Sequence, residues 1–354
     1  MPSPLSVNNG DILQSVDAFG SLEALLKASA DGLRLRILQV LQHDSFGVLE
    51  LCNLFSIKQS AMSHHLKVLA TASLVGTRRE GNAIFYRRAL PAATAHEALL
   101  GELFASLDAL PMDAGVQQAI DRAQQHRSAC SMKFFAEHSA DFQAQQDLIA
   151  PIDEYRGTLN ELLDTLLQPG VNRLPRKQAV ELGPGEGQYL ADLAKRFEHV
   201  IALDNAEPML ERCRRTATRK NLGNIGFIHG DTRDLIELGE QLNTGGAVSA
   251  RKANCIVANM VLHHNAKPQQ IFTDAARLLA ANGVFIISEL CQHAQDWVRD
   301  AAGDVWLGFQ EAQLNQWAEL AGLARSTGSY TALRNGFRIQ ILAYRKQSAT
   351  PAAA

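Results

Sequence analysis

Gln178-Ala179-Val180-Glu181-Leu182-Gly183-Pro184-Gly185-Glu186-Gly187 is the stretch on which the reading of this chain turns. An apolar run breaks into three glycines at alternate positions. A helical pattern follows, and a second apolar run then ends at Asp204. Strand, glycine turn, helix, strand and acid is the layout of a nucleotide-binding βαβ unit. Glycines allow the tight turn and let a ligand approach main chain unobstructed by a Cβ. The acid is placed to hydrogen-bond the two hydroxyls of a ribose. The spacing is G-x-G-x-G rather than the G-x-G-x-x-G of a dinucleotide site, and no Lys-Ser/Thr follows to make a P-loop.

From Gln178 onward apolar runs and helical patterns alternate. The strand candidates are Gln178–Leu182, Val200–Leu203, Ile225–His229, Cys255–Asn259 and Val284–Ser288. Continuous apolar strands separated by helices predict a parallel sheet covered on both faces. Ser326–Thr331 and Gly336–Arg345 read as a closing antiparallel pair, making seven strands. Within this region E-x-G-x-G-x-G resembles motif I of the class I S-adenosylmethionine-dependent methyltransferases, a Rossmann-like α/β fold. Leu203-Asp204-Asn205-Ala206-Glu207-Pro208-Met209, Gly230-Asp231-Thr232, Asn259-Met260-Val261-Leu262-His263-His264 and Leu278–Gly283 resemble that family's later motifs in the same order.

The resemblance implies S-adenosylmethionine or S-adenosylhomocysteine as the bound cofactor or ligand. Glu181, Gly183, Gly185 and Gly187 would lie in its loop. Asp204 would take the ribose, with Asn205 and Met209 near the adenine. Asp231 would meet the adenine amino group beside Thr232, and Asn259 would lie along the methionine moiety. Other readings stay open residue by residue: the glycines can serve a tight turn alone, and Asp231 can be a helix N-cap. His263 and His264 are the candidates for a catalytic base.

The first ninety residues carry a different pattern. A small, polar segment over 1–20 is expected to be a loose arm. Apolar residues then recur at helical spacing from Leu22 to Leu41, with Asp31 as a cap, and again over Val48–Phe55 and Ser60–Thr71. Two short strand-like runs joined by Glu80-Gly81-Asn82 complete a winged helix-turn-helix. The polar residues of the third helix region are Gln59, Ser60, Ser63, His64 and Lys67, donors and acceptors suited to base edges and phosphates. Between Ser56 and Arg88 stand six Lys/Arg (Lys58, Lys67, Arg78, Arg79, Arg87, Arg88) and one acid, Glu80, a local +5 in a chain of net charge −3. That is the charge footprint of a DNA-facing surface. Arg78 and Arg79 are the wing candidates.

Leu33–Leu38, Lys58–Leu69 and Arg79–Tyr86 together resemble the ArsR/SmtB family of bacterial repressors over about residues 22–90. The resemblance implies a homodimer on a double-stranded, inverted-repeat operator. Arsenic sensors of that family carry Cys-x-Cys before the turn. This chain has Cys52-Asn53-Leu54, so a buried small apolar role is expected for Cys52.

The remainder of the chain fits between and around these parts. The expected organisation is an arm (1–20), a winged helix-turn-helix domain (21–90), a helical connector or dimerisation region (91–170), a methyltransferase-like domain (171–347) and a disordered tail (348–354). His96–Leu110 is the expected dimer helix, and Phe134, Phe135 and Phe142 are expected to close over a ligand mouth or pack its edge. At 354 residues, 46% apolar and 20% charged, the chain has room for two globular cores. No apolar run approaches the roughly 20 residues of a membrane span, and Met1–Gly10 has no secretory character, so cytoplasmic residence is expected. The five cysteines show no CxxC spacing, so no sequence-local metal site is expected. No N/D-P-P-Y follows the strand ending at Asn259, which argues against DNA base methylation. The reading is a DNA-binding regulator that senses an S-adenosyl ligand, in the manner of S-adenosylhomocysteine-responsive regulators of methionine-cycle genes. The alternative is an active methyltransferase on a small molecule with an autoregulatory DNA reader.

Overall fold

The computed structural model describes residues 9–42, 44–80, 83–89, 96–138, 142–170, 173–242 and 252–347. The chain divides into two compact units, Met1–Gln125 and His126–Ala354. No helix among the described residues is long and apolar enough to cross a membrane.

The first unit runs α1 (Asn9–Ser29), α2 (Gly32–Val40), β1 (Phe46–Gly47), α3 (Val48–Phe55), α4 (Gln59–Thr71), β2 (Val75–Glu80), β3 (Ala83–Arg88) and α5 (Glu97–Asp108). Helix α1 begins inside the segment expected as a loose arm. Asp31 caps α2, its carboxylate accepting from the Arg34 amide at 2.9 Å. Ser56, left-handed at φ 54°, ends α3 and sets the turn into α4. The small antiparallel sheet is ordered β1-β3-β2. The β2–β3 turn residues Gly81 and Asn82 lie outside the described residues. The core is the apolar face of each helix brought together: Leu38, Phe46, Leu51, Met62, Leu66, Leu69 and Leu100 are all fully buried. Cys52 joins this core as a small apolar residue, and burial pushes its thiol pKa up.

The unit boundary falls within α6 (Ala114–His138). The second unit continues with α7 (Phe142–Ile149), α8 (Ile152–Leu167), β4 (Gln178–Leu182), α9 (Leu190–Ala194), β5 (His199–Asp204), α10 (Glu207–Arg219), β6 (Ile225–His229), α11 (Thr232–Leu242), β7 (Ala253–Asn259), a 3-10 turn (Leu262–His264), α12 (Pro268–Leu278), β8 (Leu279–Leu290), α13 (Trp297–Ala302), α14 (Glu311–Leu320), β9 (Leu323–Ala332) and β10 (Arg338–Lys346). The sheet order is β6-β5-β4-β7-β8-β10-β9. The first five are parallel, and β10 runs antiparallel to both β8 and β9. This is the seven-stranded, mostly parallel sheet that the alternating pattern predicts. Strand β4 is buried along its whole length because helices cover both faces. Strand order reverses between β4 and β7. In open α/β sheets a crevice forms at that point, outside the carboxyl ends of the strands.

Candidate functional sites

The crevice is present. A cleft of about 140 Å³, open at its mouth, lies over the ends of β4, β5 and β7. Its floor is main chain at Gly183, Pro184 and Gly185. Gly183 has φ 58°, and a Cβ there would sit 2.7 Å from Val261 Cγ2. Only glycine meets both constraints. Gly187 differs in role: it does not line the cleft, and a Cβ there would lie 3.0 Å from Cys213 Sγ on α10. It allows close packing of the loop on a neighbouring helix.

Glu181, at the end of β4, faces the cleft from a fully buried position. Burial, reinforced by the Asp192 charge, pushes its carboxyl up to about 8. Its Oε2 has no hydrogen-bond partner among the described residues. Asp204, at the end of β5, is raised to about 6 by burial, against the pull of an amide hydrogen bond from Ala206 at 2.9 Å. Asn205, Met209 and Asn259 also line the cleft. Of the ten expected ligand residues, seven line it (Glu181, Gly183, Gly185, Asp204, Asn205, Met209 and Asn259), and Gly187, Asp231 and Thr232 do not.

Asp231 and Thr232 stand outside the cleft as well. Asp231 accepts from the amides of Arg233 at 2.7 Å and Asp234 at 3.2 Å and pairs with the Arg233 guanidinium. That is the N-cap of α11, the reading left open by the sequence. The Thr232 hydroxyl donates to Asp274 at 2.5 Å.

Residues from the helical segment complete the wall: Ser131 of α6, Gln143 and Gln146 of α7, and Ile152 and Tyr155 of α8. The sequence reading assigned this segment to connection and dimerisation, and brought only Phe134, Phe135 and Phe142 to the ligand mouth or its edge. The one available signal was Tyr155, a hydroxyl on the otherwise aliphatic face of α8. The ring of Phe134 packs against Gly303 rather than lining the cleft. The side chains of Phe135 and Phe142 lie outside the described residues.

His264 lines the cleft; His263 lies behind it. Glu289 Oε1 lies 2.6 Å from His263 Nδ1. Burial opposes a charge on His263, but the Glu289 and Asp304 carboxylates outweigh it and hold its pKa up at about 9. His264 is driven well below the ordinary histidine range by burial and by the His263 charge. A neutral imidazole at the cleft wall is chemically able to accept a proton.

In the first unit Gln59, Ser60, Ser63, His64 and Lys67 are all exposed, on the face of α4 opposite buried Met62, Leu66 and Leu69. Arg79 is exposed too, but Arg78 is not: it is only 7% exposed. Successive strand residues point to opposite faces, so the two cannot both face outward. Arg88 is buried as well. Its Nε donates to the Leu38 carbonyl, its Nη2 lies 2.6 Å from Asp108 Oδ1, and its guanidinium stacks over Phe104. The local +5 is therefore not all displayed. Lys58, Lys67 and Arg79 are the exposed part of it.

Residues 175–325 match the family model described as a methyltransferase domain, and residues 30–78 match one described as a helix-turn-helix domain. The transcriptional activator HlyU of Vibrio cholerae is 44% identical over 62 residues, 18% of this chain and 57% of that protein. The arsenical resistance operon repressor of Staphylococcus aureus is 34% identical over 70 residues, 20% of this chain and 67% of that protein. The transcriptional repressor SmtB homolog of Synechocystis is 31% identical over 74 residues, covering 21% and 56%. This chain thus spans roughly three-fifths of these regulators' lengths. Among solved structures, the 1,6-didemethyltoxoflavin-N1-methyltransferase of Burkholderia thailandensis is 17% identical, covering 68% of this chain and 93% of that one at a TM-score of 0.47. The N-methyltransferase NodS of Bradyrhizobium japonicum is 16% identical, covering 62% and 99% at 0.44.

Proposed function

This chain belongs, through its first unit, to the ArsR/SmtB family of helix-turn-helix regulators, and a class I methyltransferase fold follows; on that premise we propose that it is a transcriptional regulator whose second unit binds S-adenosylmethionine or S-adenosylhomocysteine as the sensed ligand and that it controls methionine-cycle genes. The observation that carries the ligand reading is the pairing of Glu181 and Asp204 on either side of the glycine loop. An orphaned, buried carboxyl suits the ammonium of a methionine moiety. A carboxyl at the end of the next strand suits a ribose diol. Among the described residues, no lysine or arginine lines the cleft to supply the cation that a phosphate would need.

The DNA reading rests on the exposed row Gln59, Ser60, Ser63, His64 and Lys67 with Arg79 on the wing. The partner is a double-stranded operator, so the cytoplasm is the working compartment. A homodimer is part of the same proposal. Phe19 and Leu26 of α1, 75% and 51% exposed, and Leu99 of α5 leave apolar surface on the helices flanking the reader. Sensing then means that ligand binding biases the dimer between DNA-bound and released forms.

The test is a gel-shift titration of the chain's own promoter region with each S-adenosyl compound. A shift in DNA affinity with one of them supports sensing; DNA binding indifferent to both, in protein that calorimetry shows to be saturated, overturns it. A second reading is favoured by neutral His264 at the cleft wall: methyl transfer to a small acceptor carrying an O–H or N–H. Labelled methyl donor incubated with a metabolite extract checks it, with D204A as the control that removes donor binding.

A further inference from the structure

Between the cleft and the interior of the second unit lies a cluster that neither ligand sensing nor DNA reading uses. His263 and His264 come from the 3-10 turn after β7, Glu289 from the end of β8, and Asp304 from just after α13. All four side chains are buried. We propose that His263 Nε2, His264 Nδ1 and the Asp304 carboxylate form a binding site for a divalent transition-metal ion.

Three geometric observations carry this. First, Glu289 settles which nitrogen of His263 is available. Its carboxylate accepts from the amides of Leu290 at 2.7 Å and His263 at 3.2 Å, and from the Nδ1–H of His263 at 2.6 Å. Nε2 is left facing Asp304. Histidines that bind metals are oriented in this way, with a carboxylate fixing the tautomer from behind.

Second, the donor atoms are spaced for an ion between them. Asp304 Oδ1 lies 3.8 Å from His263 Nε2 and 3.6 Å from His264 Nδ1. Both separations exceed hydrogen-bond length. Ligands at about 2.0–2.1 Å around a tetrahedral ion are about 3.4 Å apart. One donor atom from each of the three residues lies within 4.8 Å of the others.

Third, the two rings converge although their residues are adjacent in sequence. Their centroids are 4.0 Å apart, whereas those of the other adjacent pair, His64 and His65 on α4, are 6.0 Å apart. Two imidazoles and one carboxylate favour zinc, iron(II) or cobalt(II) over magnesium or calcium. Three protein ligands leave a further coordination position. His264 also lines the cleft, so a water or an acceptor oxygen or nitrogen can complete the set from that side.

Zinc titrated calorimetrically into chelator-treated full-length protein tests the site, with no DNA or S-adenosyl compound present, so the outcome is independent of the function proposed above. One equivalent per chain is expected. D304N should lose that equivalent, and E289Q should weaken it about 10–100-fold. Absence of zinc binding by the wild type, or an equivalent untouched in D304N, overturns the site; the latter places the ion elsewhere, for example at Cys52. If circular dichroism shows that D304N does not fold, X-ray absorption of the zinc-loaded wild type decides. A first shell of imidazole nitrogen and oxygen supports the assignment, and sulfur in that shell overturns it.

Discussion

The Tyr155 hydroxyl on α8 donates a 3.0 Å hydrogen bond to the side-chain oxygen of Asn259 at the end of β7. It ties the helical wall of the cleft to the strand end beneath it. Burial, above all, holds the Tyr155 pKa well above the ordinary phenol range, so it stays a donor at every physiological pH. Y155F leaves a half-buried Asn259 oxygen at the cleft wall without this partner, at a cost of about 0.5–1.5 kcal/mol. Urea denaturation should read that loss. Calorimetry should find weaker S-adenosylhomocysteine binding, because Asn259 loses its fixed orientation. Unchanged affinity would separate Asn259 from the ligand.

The glycine loop gives a sharper pair of variants. G183A introduces both a side-chain clash with Val261 and a left-handed backbone for alanine. The strained φ alone costs about 1–3 kcal/mol. Adding V261A removes the clash but not the strain. The double variant should therefore regain part of the lost stability in thermal unfolding. Full recovery would mean that φ at Gly183 is unimportant.

Glu181 makes ligand binding pH-dependent. Its carboxyl is held up at about 8, so it is mostly protonated at pH 7. An ammonium brought beside it favours the charged form, and binding should release about one proton at pH 7. Calorimetry in buffers of different ionisation enthalpy measures this directly, and E181Q should abolish the release. The sign for stability follows from the same shift. A carboxyl raised in the folded state favours folding fully below its ordinary value of 4.5, and that contribution is lost as pH rises to about 8. Ligand-free E181Q should show a flatter decline across that window.

Exposed and buried basic residues of the first unit should behave differently on DNA. K67A and R79A remove exposed cations and should weaken operator binding, each lowering the salt slope by about one. R88A acts on the fold instead. It strands Asp108 and uncovers Phe104, at roughly 3 kcal/mol, and its salt slope on DNA should match the wild type wherever the protein remains folded.

Much of this was legible in the chain before any fold was known. Continuous apolar runs and period-3.6 patterns place the elements, and the order of apolar strands and helices predicts a parallel sheet with an antiparallel close. Motif spacing marks Glu181, Gly183 and Asp204, because a turn and the strand end beside it are local in sequence. Asp231 shows the limit of that locality. A strand-end acid can face a ligand or cap the following helix, and spacing does not distinguish them. Only the folded geometry turns its carboxylate toward the amides of α11.

The rest depended on contacts between segments far apart in the chain. Tyr155 reaches the cleft because the apolar face of α8 packs against the second unit's core. Arg78 and Arg88 turn inward because strand alternation and packing decide which charges meet water, whereas composition counts all charges alike. Glu289 and Asp304 meet His263 and His264 only when β8 pairs beside β7 and the chain after α13 folds back. Local sequence determined the elements and the glycine loop of this protein; tertiary structure decided which polar groups those elements bring together, because side-chain direction and burial are set by the packing of the whole sheet.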